Sequence, residues 1–158
     1  MNKAIFLDRD GTMIYDKNYI CIPKYVELMP GVAENLALFE KKGFLLVLVS
    51  NQSGVGRGYY SKESLLNVHT KLEDLLQEKK IILDGVYYCI HTPDDNCNCR
   101  KPKIGMALLA KRELDIDLVN SYMVGDKPLD IEFGQNFGAK YCFTSINDAV
   151  ECVFKYSK

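Results

Sequence analysis

The sequence predicts an α/β fold, a doubly wound parallel sheet of about five strands. Three observations carry this. Short apolar runs recur at Ala4–Leu7, Phe44–Val49, Val86–Ile90, Tyr122–Val124 and Ala139–Phe143, the last broken only by Lys140. Such runs, with no polar alternation, suit strands buried on both faces. Segments with helical spacing separate them, and strand–helix alternation makes a parallel sheet. Finally, several runs stop at a polar residue: Asp8, Ser50 and Asp126. Right-handed crossovers bring all strand C-termini to one edge, where open α/β sheets hold their ligands.

Composition narrows the function. With 158 residues the chain is long enough for one domain, 1–158, with a sizeable core. A formal charge of −1 and a pI near 6.1 argue against a general nucleic-acid binder. No stretch approaches the ~20 apolar residues of a membrane span, and no signal peptide is visible. A cytoplasmic monomer acting on a small molecule is expected, with neither nucleic acid nor membrane as partner.

In chain order, Ala4–Leu7 leads into Asp8-Arg-Asp10-Gly11-Thr12, where Gly11 permits a sharp turn. Residues 13–30 have no clear period and read as a long loop, with a short hairpin, over the strand end that bears Asp8. Val32, Leu36 and Phe39 recur at helical spacing, and Lys41, Lys42 and Gly43 mark that helix's end. Residues 53–58, Ser-Gly-Val-Gly-Arg-Gly, read as a glycine-rich loop without the ending of a nucleotide P-loop. Ser61 caps a long helix to about Lys79, with Leu65, Val68, Leu72 and Leu75 or Leu76 inward and His69 at the surface or boundary. A helix over 104–113 is expected to turn Leu108 and Leu109 inward. Pro128 suits the first turn of the next helix, and a last one spans about 146–154.

Two clusters carry chemistry. Asp8 and Asp10 lie one residue apart at the end of a buried strand, and their repulsion is offset by a hard cation such as Mg²⁺. One acid can then attack phosphorus while the other handles protons. Alone, the pair also fits a solvated turn. The second cluster is Cys89-x-His91-x₅-Cys97-x-Cys99. Without a secretion signal, its cysteines point to metal rather than disulfides. Three sulfurs and an imidazole complete a tetrahedral, structural Zn²⁺ shell. The clip would fix the polar segment Arg100-Lys101-Pro102-Lys103 beside Asp8.

These residues resemble the four motifs of the haloacid dehalogenase superfamily of phosphohydrolases: the Asp8–Thr12 stretch, Ser50, Lys101 and Gly125-Asp126-Lys-Pro-Leu-Asp130. The resemblance spans essentially the whole chain and implies a Rossmann-like core with a zinc-binding loop and no separate cap domain. Loop 13–30, the glycine-rich loop and the zinc loop must then enclose the site. Within the superfamily the chain is similar to the D-glycero-D-manno-heptose 1,7-bisphosphate phosphatases. The stretches Asn51–Gly58, Asp84–Cys89, Cys99–Pro102 and Ser121–Lys127 carry this. The sister group, the histidinol-phosphate phosphatases, shares the zinc loop and the short gap between His91 and Cys97. The Gly54–Gly58 loop and Lys127 favour the heptose group.

The resemblance implies a role for each residue. Asp8 is the nucleophile, and Asp10 the general acid and then base. Ser50 and Lys101 bind the transferring phosphoryl group. Mg²⁺ is held by Asp8, the Asp10 carbonyl and Asp126. Arg100 helps to recognise substrate. Asp16, Lys17, Asn18 and Tyr19 match substrate-contacting positions, as do Asn51, Gln52, Ser53 and Lys127, and Arg9 is grouped with them. Asp130 supports the site from behind. Arg57 is open between a second phosphate contact and an exposed loop arginine. A polynucleotide 3′-phosphatase and a non-catalytic zinc-stabilised binding module are the competing readings.

Overall fold

The computed structural model describes residues 1–155. Five strands form one sheet in the order β3-β2-β1-β4-β5, and every neighbouring pair is parallel. The strands are β1 (Lys3–Leu7), β2 (Phe44–Asn51), β3 (Gly85–Cys89), β4 (Tyr122–Val124) and β5 (Tyr141–Phe143). Helices α1 (Val32–Lys41), α2 (Ser53–Gly56), α3 (Lys62–Glu78), α4 (Gly105–Leu114), α5 (Pro128–Phe137) and α6 (Ile146–Val150) connect or follow them. No helix among the described residues is long and apolar enough to cross a membrane.

Strand alternation builds two cores. Ile5 and Leu7 of β1 face a cluster that takes in Leu36 and Phe39 of α1, Val68 and Leu72 of α3 and Ala149 of α6. Ala4 and Phe6 point the other way, toward Met106, Ala107 and Ala110 of α4 and Phe133 of α5. The apolar run is unbroken because both faces of β1 are covered. Strand order reverses between β1 and β4, and a reversal opens a crevice at the C-terminal edge of an α/β sheet. Asp8 follows β1 and Asp126 lies just beyond β4, so the two acids flank that crevice.

Helix ends follow the expected chemistry. Ser61 Oγ accepts from the Ser64 amide at 3.1 Å and caps α3. Pro128 opens α5, and Gly138 closes it in the left-handed region. Loop 13–30 pairs with itself as a short hairpin: the Tyr15 amide donates to Glu27 O at 3.1 Å, and the Met29 amide to Met13 O at 3.0 Å.

Three local expectations need correction. Residues 53–56 form a helical turn rather than open loop, closed by the Arg57 amide donating to Ser53 O at 2.8 Å. In α4, Leu108 is half exposed, and Met106, Ala107 and Ala110 face the sheet instead. The cause is tertiary. Any side chain at Gly105 would collide with the Asn98 carbonyl, so the helix start is pressed onto the cysteine loop and its phase is set there. His69 is not at the surface. It is buried on α3, with Nδ1 at 2.7 Å from Tyr88 Oη and Nε2 at 2.8 Å from Glu73 Oε1.

Candidate active site

The loop after β1 is built on one carbonyl. Arg9 O accepts from the amides of Thr12, Met13 and Ile14, and Gly11 makes the turn at φ +84°. A Cβ at Gly11 would strike the Asp126 carboxylate. Glycine is thus required twice, for the left-handed turn and for the approach of the β4 acid. Above this turn opens a cleft of about 240 Å³. Asp8 and Asp10 line it, with Asp16, Asn18 and Tyr19 from the hairpin loop. Asn51, Gln52 and Ser53 close one side; Arg100, Lys101 and Lys127 bring positive charge.

Lys101 is the hub. Its ammonium is buried and donates to Asp8 Oδ1 at 2.8 Å, Asp130 Oδ1 at 2.7 Å and Val49 O at 2.9 Å. An ammonium has three protons, so all are used. Its backbone is held as firmly: the Lys101 amide donates to Asn51 Oδ1 at 2.9 Å, and Asn51 Nδ2 donates back to Lys101 O at 3.1 Å. The following peptide bond to Pro102 is cis. Burial pushes the Asp8 carboxyl up to about 6, with Asp130 and Asp10 adding to the rise and Lys101 opposing it. Burial likewise raises Asp126. For Lys127, burial opposes the charge, but Asp8, Asp16 and Asp126 around it win and its pKa is raised.

Asp10 is gripped from behind. Arg9 Nε donates to its Oδ1 at 3.0 Å and Arg9 Nη2 to its Oδ2 at 3.2 Å. From the cleft side, Gln52 Nε2 donates to Asp10 Oδ2 at 3.1 Å. Tyr60 Oη donates to Gln52 Oε1 at 2.7 Å, which fixes which way the amide faces.

Several expectations shift here. Arg9 is wholly buried and does not line the cleft; its guanidinium belongs to Asp10. Lys17 turns away, donating to Tyr25 O at 2.8 Å and Glu27 Oε2 at 3.3 Å, because the hairpin pairs those strands. Ser50 is buried at the end of β2 and accepts from Gln52 Nε2 at 2.9 Å rather than lining the cleft. Arg57 is exposed outside the cleft, and its Nε donates to Ser53 Oγ at 3.1 Å. Asp130 supports the site by direct contact with Lys101. Tyr60 was missed, although its place just before the α3 cap was a usable signal.

Two donor sets suit metals. The carboxylates of Asp8, Asp126 and Asp130 come within 4.8 Å of one another. Lys101 occupies Asp130, which leaves Asp8 and Asp126 for a hard cation, at the cradle that Gly11 keeps open. Cys89, His91, Cys97 and Cys99 form the other set. Sulfur–sulfur distances of 3.2 and 3.7 Å and Sγ–Nδ1 distances of 3.3 and 3.6 Å surround a common centre. A Zn–S bond near 2.3 Å gives tetrahedral edges of about 3.8 Å, so the fit is good. Burial pushes the Cys89 thiol up to about 12, so a thiolate there requires a cation beside it. None of the six cysteines is in a disulfide.

A family model described as polynucleotide kinase 3 phosphatase matches residues 3–142. The D-glycero-beta-D-manno-heptose-1,7-bisphosphate 7-phosphatase of Haemophilus influenzae is 45% identical, over 89% of this chain and 78% of its own length. The protein of that name from Helicobacter pylori is 42% identical, over 88% of this chain and 81% of its own. Among solved structures, the D,D-heptose 1,7-bisphosphate phosphatase of B. bronchiseptica, complexed with magnesium and phosphate, superposes with a TM-score of 0.82. It is 33% identical, and the match covers 88% of this chain and 78% of that one.

Proposed function

Because the chain belongs to the D-glycero-D-manno-heptose 1,7-bisphosphate 7-phosphatase family of the haloacid dehalogenase superfamily, we propose that it hydrolyses the 7-phosphate of that sugar bisphosphate. It is a phosphoric monoester hydrolase of heptose biosynthesis. The single observation that carries the reading is the convergence of Asp8, Asp10, Lys101 and Lys127 on one cleft at the sheet's switch point.

We assign Asp8 as the nucleophile. Its carboxylate attacks phosphorus, the bond from phosphorus to the sugar oxygen breaks, and Asp10 gives that oxygen a proton. Asp10 then takes a proton from water, which attacks the aspartyl-phosphate and releases phosphate. Lys101 keeps Asp8 anionic at the start. As Asp8 becomes an acyl phosphate it loses its charge, and the Lys101 bond passes to the phosphoryl oxygens. Ser50 lies behind Gln52 and accepts from its Nε2, so it backs the cleft and steadies the amide that bonds Asp10. Arg100 Nη1 is buried at the cleft with no partner among the described residues, a cationic donor that suits a substrate phosphate. Asp8, Asp126 and the Asp10 carbonyl would hold Mg²⁺, which when bound offsets negative charge on the phosphoryl group. Asp16, Asn18 and Tyr19 face the sugar.

The magnitudes favour so much positive charge. Acceleration of phosphate monoester hydrolysis reaches ~10²¹-fold, roughly 28 kcal/mol. General acid–base transfer supplies ~10²–10⁴, roughly 3–5 kcal/mol. Positioning and preorganised charge must provide most of the rest.

We further propose Zn²⁺ at Cys89, His91, Cys97 and Cys99, a single domain and a cytoplasmic monomer; free thiols suit a reducing compartment. The name of the matching family model raises a second reading, a 3′-phosphorylated polynucleotide. A formal charge of −1 speaks against it. The test is kcat/KM for heptose 1,7-bisphosphate, histidinol phosphate and a 3′-phosphorylated oligonucleotide. The heptose ester is expected to lead by about tenfold or more, since a site built to bond a substrate's polar groups rejects analogues lacking them. A lead for either competitor rejects the assignment.

A further inference from the structure

Arg9 is a buried cation that the reaction as described does not use. It is among the largest fully buried side chains, and its Nη1 has no hydrogen-bond partner among the described residues. Burying a charge and leaving a donor orphaned are both costly. What Arg9 does make is a two-nitrogen fork on Asp10, 3.0 and 3.2 Å long. Such a fork fixes a carboxylate in plane and direction, which a lysine in its place does not.

The fork is itself fixed from outside the cleft. The Arg9 guanidinium lies 5.7 Å from the centroid of the Tyr88 ring on β3. Cations favour that face of an aromatic ring. The Tyr88 hydroxyl is 2.7 Å from His69 Nδ1 on α3, and His69 Nε2 is 2.8 Å from Glu73 Oε1. A neutral imidazole protonated on Nε2 satisfies both: it accepts from tyrosine and donates to glutamate. A continuous row of side chains thus runs from α3 through β3 to Asp10, and Arg9, Tyr88 and His69 do not line the cleft.

We propose that Arg9, backed by Tyr88 and His69, is a positioning residue that aims Asp10 at the leaving oxygen. The proposal rests on the assignment of Asp10 as the general acid. Aim matters most when the leaving group is a poor one. An alkoxide needs its proton as the bond breaks, whereas nitrophenolate leaves without it. kcat/KM reports only steps up to departure of the leaving group, so the later hydrolysis of aspartyl-phosphate does not enter.

The experiment measures kcat/KM with Mg²⁺ for phosphate monoesters ranging from nitrophenyl to alkyl, in wild type, Arg9→Met, Arg9→Lys, Tyr88→Phe and Asp10→Asn. In Arg9→Met the alkyl esters are expected to fall about 10–100-fold and the nitrophenyl ester less than about threefold, within the ~10²–10⁴ that a general acid supplies. Tyr88→Phe keeps the ring and removes only the hydroxyl, which bonds both His69 and Arg9, so it serves as the test even if Arg9→Met does not fold. It should show the same tilt at about 2–5-fold, a fraction of that range. Arg9→Lys, which keeps the charge and loses the fork, should not restore the alkyl esters. A uniform fall across all esters in Arg9→Met and Tyr88→Phe, with Asp10→Asn still selective for alkyl esters, overturns the positioning role alone. Asp10→Asn with no selectivity overturns the general acid and the positioning role together.

Discussion

At the scale of single residues, Asp8 is pulled two ways. Burial favours its neutral form and lifts its pKa to about 6, while Lys101 favours the anion. A carboxyl bound more tightly to its proton in the folded state than in the unfolded one destabilises the fold once it ionises. The contribution is absent below the ordinary value of 3.8 and fully unfavourable above about 6. Metal-free wild type should therefore lose Tm relative to Asp8→Asn as pH rises from about 4 to about 7. Bound Mg²⁺ favours the anion, so added Mg²⁺ should raise the wild-type Tm more at the upper pH than at the lower, and Asp8→Asn should gain little. A Tm difference that stays flat across this range would contradict the account. Residue identity was the most legible level in the sequence: Asp8, Asp10 and Asp126 each follow a short apolar run, and Lys101 comes two residues after the last cysteine of the metal cluster. Arg9 was not legible: between two acids it groups with the substrate contacts, and only the packing above it turns it inward to Asp10.

Among the elements, the segment from β3 to α4 has the most to hold in place. It is polar, it carries Lys101 into the core, and its anchors include the cysteine–histidine cluster and the paired bonds to Asn51. If zinc fixes one anchor, chelation should lower kcat even with Mg²⁺ restored, and zinc should return it. Full activity in protein shown to be zinc-free would reject the link. Strands and helix caps were readable because apolar runs, Ser61 and Pro128 act locally. The phase of α4 was not: Leu108 and Leu109 look like an inner face, but contact between Gly105 and Asn98 rotates the small residues Ala107 and Ala110 toward the sheet. The helical turn at 53–56 escaped for a similar reason. Any side chain at Gly54 would meet the Tyr60 ring, and one at Gly56 the Ile90 carbonyl, so the glycines there serve close packing rather than an open loop.

For the whole molecule, the order β3-β2-β1-β4-β5 makes β1 the centre and leaves loops to wall the cleft. Local and global stability should separate accordingly. Amides of Ala4–Leu7 and Leu46–Val49, central and buried, are expected to exchange hydrogen only on global unfolding. Chelation should speed exchange in residues 91–103 and leave those strands unchanged. Equal acceleration in both would mean that the cluster holds the sheet rather than the loop.

By itself the sequence determined the alternation of strands and helices, the edge at which the acids gather, and the two donor sets. These follow from the period of apolar residues and from ligand types, both properties of short stretches. Only the tertiary structure decided which polar groups point at substrate and which point at one another. Lys101 spends all three protons on Asp8, Asp130 and Val49, Arg9 turns inward to Asp10, and Lys17 turns aside to Glu27. A side chain's partner depends on distances across segments far apart in the chain, and no local pattern encodes them.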